Sequence, residues 1–67
     1  MRELKTLTGR PVVVCTDGAT LRGVVESATR AFVTLVDVED VDRPIPAPIA
    51  GAVLIPARRV KYVQVVI

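Results

Sequence analysis

The chain has 67 residues, 51% of them apolar, and a net charge of +2 from nine basic and seven acidic side chains. That length holds one domain, residues 1–67, and a domain so small buries only about 60% of its unfolded surface, so it normally needs a staple or a partner. One cysteine excludes an internal disulfide, and one cysteine without histidine excludes a zinc site, so oligomerisation is the stabiliser that remains.

Met1 to Thr8 carries Leu4 and Leu7 at helical spacing before Gly9, which predicts a short N-terminal helix stopped at the glycine. Pro11 to Thr16 is β-branched and apolar, a first strand that starts at a proline. Asp17-Gly18 is the pattern of a tight hairpin turn with positive φ. Ala19 to Ala28 is the second strand. Gly23 lies inside it, where a glycine marks a bend or a close backbone approach, as a small barrel needs to curl.

Ala28-Thr29-Arg30 is a short connection to a third strand, Phe32 to Val38. Alternation there places Phe32, Thr34 and Val36 on one face and Val33, Leu35 and Asp37 on the other. Phe32 reads first as a core residue. Glu39 to Gly51 contains Pro44, Pro46 and Pro48 and reads as an extended loop of polyproline character, with Ile45, Ala47 and Ile49 suited to packing on a neighbouring subunit. Ala52 to Ile55 is a fourth strand, Pro56 to Arg59 a tight link, and Val60 to Val65 a fifth strand. Five short strands split by turn signals predict an all-β barrel.

Charge is unevenly distributed. Acids gather at Asp37, Glu39, Asp40 and Asp42, bases at Arg58, Arg59 and Lys61. Cys15, in an apolar run, reads as a small buried hydrophobe rather than a reactive thiol. A lone unpaired cysteine suits a reducing compartment, and the start Met1-Arg2-Glu3-Leu4-Lys5 has no apolar leader core, so a cytoplasmic protein is expected. The apolar runs are too short to span a bilayer. No nucleophile–base pattern appears, and the expectation is a protein that is not an enzyme and uses no cofactor, metal or small-molecule substrate.

Leu7-Thr8-Gly9-Arg10, Val12-Val13-Val14, Asp17-Gly18 and Leu21-Arg22-Gly23-Val24-Val25-Glu26-Ser27 together resemble the first motif of the Sm-like family. The stretch Gly18 to Ser27 followed by Phe32-Val33-Thr34-Leu35 resembles the bacterial member Hfq in particular, and Ile55 to Val63 occupies the place of the second Sm motif. The resemblance implies a short N-terminal helix followed by a strongly bent, five-stranded antiparallel SH3-like barrel, the Sm fold. It implies a homo-oligomeric ring of about five to seven subunits. The fourth strand of one subunit pairs with the fifth of the next, through Val53, Ile55, Val60, Tyr62, Val63 and Val65. It also implies RNA or single-stranded nucleic-acid binding near the ring pore. The matching positions are Arg30 and Phe32 in the first connection and Arg58 and Arg59 in the second. The family's Asp–Asn and Arg-Gly positions, and Hfq's Lys-His pair, are filled otherwise here. The alternative is a phage-type or other structural ring or adaptor that binds no nucleic acid.

Overall fold

The computed structural model describes residues 2–66. Its elements are α1 (Arg2–Lys5), β1 (Pro11–Thr16), β2 (Thr20–Ala28), β3 (Phe32–Asp40), β4 (Ala47–Ile49), β5 (Val53–Pro56), a 3-10 turn at Ala57–Arg59 and β6 (Val60–Val65). The sheet is antiparallel in the order β4-β3-β2-β1-β6, with β5 also on β3.

The helix is a single turn, shorter than the expected Met1–Thr8, and Met1 lies outside the described residues. Turns follow it because Thr8 Oγ1 donates to Lys5 O (2.8 Å), competing with helix continuation, and Gly9 takes φ +84°. Gly9 N–H then donates to Val25 O at 2.7 Å and ties this segment to β2. Leu4 is buried in the core beneath it.

Alternation holds where it is strongest. Val12 and Val14 of β1, Leu21 and Val25 of β2, and Val33 and Leu35 of β3 point inward and meet Leu4, Ala28, Val38 and Ile55. The core is entirely aliphatic, each large side chain contributing about 1.5–3 kcal/mol on burial. Phe32 is not part of it: 42% of its surface is exposed, against the expectation of a core aromatic. As the first residue of β3 it shares the outer face with Thr34 while Val33 and Leu35 fill the inside.

Two bulges break the period between β2 and β3, and a third irregularity at Cys15/Thr16 shifts the register of β1 against β6. Between the pairs Arg22–Glu39 and Val24–Val36, β3 advances three residues while β2 advances two. Asp37 absorbs the extra residue at φ +53°, so Val38, not Asp37, turns inward, against the expected alternation. Gly23 lies opposite this bulge. A Cβ there would meet Val36 O at 3.1 Å, Val38 Cγ2 at 3.2 Å and Leu35 Cβ at 3.3 Å, so the glycine is what lets β3 come this close. The second bulge places an extra residue at Glu26 and returns Ala28 to the core.

Two further expectations change. The stretch 39–51 is not wholly a loop: β3 runs to Asp40 and β4 pairs with it over Ala47–Ile49. The prolines do not prevent this, because an edge strand tolerates a missing N–H on its free side. β4 and β5 lie in succession along the same edge of β3, separated by Ala50-Gly51-Ala52 with Gly51 at φ +81°. The sheet therefore has six strands rather than five, and it is not a closed barrel: β5 pairs only with β3 and β6 only with β1.

Asp17-Gly18 turns tightly, but neither residue has positive φ. Thr16 makes the mirror-image turn unnecessary. Its N–H donates to Ala19 O (2.9 Å), and its Oγ1 accepts from Ala19 N (3.1 Å) and Gly18 N (3.4 Å). The side chain thereby takes over hydrogen bonds that the turn amides would otherwise lack.

Candidate nucleic-acid interface

The connection between β2 and β3 is built on Thr29. Its N–H donates to Phe32 O (2.8 Å), and its Oγ1 accepts from Ala31 N (3.2 Å) and Phe32 N (3.1 Å). These bonds hold Arg30 and Ala31 at the tip and fix the start of Phe32. Pro56 at the end of β5 sits opposite Phe32 in the ladder, and Ala57 N–H donates to Ala31 O at 2.8 Å. The 3-10 turn that follows brings Arg58 to the same place.

The result is a cleft of about 320 Å³ lined by Arg30, Ala31, Phe32, Pro56 and Arg58. Three of the four residues expected to bind RNA share it. Arg59, the fourth, does not line it, because neighbouring residues of a 3-10 turn project about 120° apart. Among the described residues the ion pairs are Arg43–Asp40 (3.8 Å) and Lys61–Asp17 (3.5 Å), so both cleft arginines are exposed without a carboxylate partner. An apolar ring beside two unneutralised guanidinium groups has the chemistry to stack a planar ring and to attract an anion.

The acidic residues serve elsewhere. Asp42 Oδ2 accepts from Thr20 N (2.9 Å) and Asp40 Oδ1 accepts from Asp42 N (3.0 Å), which pins the chain leaving β3. Asp37 and Glu39 line a broader groove of about 780 Å³ between β3 and β4, walled by Val36, Val38, Pro48 and Ile49. No group of three or more metal-ligating side chains occurs among the described residues.

Cys15 is half-buried on β1, its Sγ accepting from Thr20 Oγ1 at 3.9 Å. It pairs across the ladder with Tyr62, which is 56% exposed rather than packed. Cys15, its neighbour across the ladder, raises the pKa of the Tyr62 hydroxyl above its ordinary value.

The residues expected at a subunit interface divide. Tyr62 and Val65 are exposed, Val53, Val60 and Val63 are half-buried, and Ile55 at 5% exposure belongs to the chain's own core. Sequence reasoning missed Leu54, the neighbour of Ile55, which is 58% exposed on β5. Its signal was parity: alternation through a buried Ile55 puts Leu54 outside. No helix among the described residues is long and apolar enough to cross a membrane. No protein-family model matches the chain, and no curated protein matches it.

Proposed function

We propose that this chain is an Sm-like, ring-forming module that binds single-stranded RNA, or single-stranded nucleic acid more generally, in the cleft of Arg30, Phe32 and Arg58. The observation that carries the reading is the cleft itself, an exposed aromatic ring beside two arginines that have no acidic partner among the described residues. The chemistry is stacking plus phosphate contact. Stacking tolerates any base, and the charged contacts make affinity fall with salt. The positions that read a particular base in the family are occupied by other residues, so binding of broad base preference is the expected form.

Two features support the ring. β5 and β6 each leave one edge unpaired, and Leu54, Tyr62 and Val65 are exposed along them. An unpaired apolar edge is a surface for strand addition, and a heterologous pairing that closes on itself makes a ring. The second reading, a structural ring or adaptor without nucleic acid, draws on the β3–β4 groove, whose Asp37 and Glu39 would repel phosphate.

Binding of oligo-U and oligo-A at two salt concentrations separates the readings. Wild type should bind both, and Arg30→Ala/Arg58→Ala should bind about tenfold or more weakly with a shallower salt dependence. Absence of binding near physiological salt would remove the nucleic-acid function. Binding that ignores the double substitution would place the site elsewhere.

A further inference from the structure

The connection from β3 to β4 holds an isoleucine out in water. Its first half is pinned: Val41 N–H donates to Thr20 O (3.1 Å), Asp42 Oδ2 accepts from Thr20 N (2.9 Å), and Asp42 N–H donates to Asp40 Oδ1 (3.0 Å). Its second half is stiff. Pro44, Pro46 and Pro48 have fixed φ, and Arg43, Ile45 and Ala47 each precede a proline, which disfavours the helical region for them. Ile45 at this fixed tip is 82% exposed, the most exposed large apolar side chain among the described residues. A tip already ordered loses little entropy on docking. Its prolines have no N–H to donate, so it docks through side chains rather than by strand addition.

The groove beside the tip lacks what the tip supplies. Its apolar walls are Val36, Val38, Pro48 and Ile49, of which Ile49 is exposed, and Ile45 does not line it. The ladder is open there: between the pairs Leu35–Val53 and Val38–Ile49, neither Val36 and Asp37 on β3 nor Ala50, Gly51 and Ala52 opposite are paired across it. Its volume of about 780 Å³ lies within the range of roughly 300–1,000 Å³ that encloses a compact ligand. Asp37 and Glu39 line the groove and have no cation partner among the described residues, whose ion pairs are Arg43–Asp40 and Lys61–Asp17. Arg43 is exposed, and its 3.8 Å contact to Asp40 is of the weak surface kind, free to be exchanged for another.

We propose that this side of the molecule is self-complementary: in a two-fold pair of copies, Ile45 of each enters the β3–β4 groove of the other, and Arg43 of each faces Asp37 and Glu39 there. The occupant is a second copy because one chain carries both halves, an apolar tip beside a cation and an apolar groove with two unpaired carboxylates. The halves also adjoin, since the tip leads into β4 and β4 walls the groove. One two-fold axis beside β4 therefore makes both insertions at once, and the pair closes on itself. Neither the β5 nor the β6 edge takes part, so this joint is separate from the ring and from nucleic-acid binding.

Native mass spectrometry and sedimentation velocity of the full chain at micromolar concentration test it. Ile45→Asp should halve the mass of the wild-type particle, weakening the pairing about a hundredfold, and keep the strand signal in circular dichroism because the position is exposed. Asp37→Asn/Glu39→Gln should weaken the pairing about tenfold and flatten its salt dependence. In a Cys15→Ser background, mixed Ile45→Cys and Ala52→Cys chains should join through a short bis-maleimide. Ile45→Cys mixed with Gln64→Cys, on the strand at the other end of the sheet order, should not. A mass that ignores Ile45→Asp, with no link between positions 45 and 52, overturns the pairing and leaves the ring reading as it stands. A monomeric wild type overturns both, and uptake of a free peptide of residues 41–48 by that monomer would give the groove to a different protein. Should Ile45→Asp not fold, the cross-link decides alone.

Discussion

At Thr16 and at Thr29 the chain reverses with the same set of hydrogen bonds. In each, the threonine N–H and Oγ1 face the carbonyl of the third residue on, and Oγ1 accepts from the two amides at the far side of the turn. The tips differ. The first carries Asp17, paired with Lys61 at 3.5 Å, and its surroundings are satisfied. The second carries Arg30, next to exposed Phe32 and unpaired Arg58, and its surroundings are not. Shape and chemistry are thus assigned to different residues: threonine makes the turn, and the tip residues decide whether it is inert or able to bind.

Exchanging the tips is the strongest way to break this comparison. Asp17→Arg/Arg30→Asp keeps the net charge and both threonines. It should leave the urea midpoint nearly unchanged and lower oligo-U affinity by about ten- to a hundredfold, the effect of replacing a charged phosphate contact by a like charge. Equal affinity would show that Arg30 is only a solvated tip. Next in size is Phe32→Ala, which removes a stacking surface worth about 1–3 kcal/mol per base. Fluorescence anisotropy should show that loss, with little change in stability because the ring is outside the core.

The shared part of the comparison is tested by Thr16→Val and Thr29→Val. Each leaves two turn amides without their acceptor, and each should cost about 1 kcal/mol in urea unfolding. Clearly unequal costs would mean the two turns are alike in geometry only. Lys61→Ala, which removes an exposed ion pair, should change stability by less than about 0.5 kcal/mol. The smallest expected effect is on Tyr62 beside the first turn. Because Cys15 raises its pKa, its stabilising preference for the protonated form is present below the ordinary tyrosine range and fades as pH rises through the raised value. Cys15→Ala should move the tyrosinate absorbance transition to lower pH.

Much of the fold was legible because period-two patterning is strong in Val12–Val14 and Val33–Leu35 and because Gly23 stands inside the second strand. What escaped is where one residue overrides the pattern. Asp37 looks like the next inward position, and only its left-handed backbone opposite Gly23 sends Val38 there instead. Asp17-Gly18 suggested a mirror-image turn, and the preceding threonine hydroxyl supplied another solution. Pro46 and Pro48 argued for a loop, yet an edge strand can carry a proline whose nitrogen faces outward. Of the candidate cleft, Arg30, Phe32 and Arg58 were legible by position, while the exclusion of Arg59 depends on the turn geometry.

The break at Gly51 also bears on what happens when many copies meet. A cross-β stack grows from uninterrupted segments of about six or seven residues. The edge of β3 is covered by pieces of three and four residues, kinked apart at Gly51 and blunted by Pro48. A chain so rich in valine thus shows no template long enough to zip along that side, and strand addition there ends after a few bonds instead of propagating into a fibre.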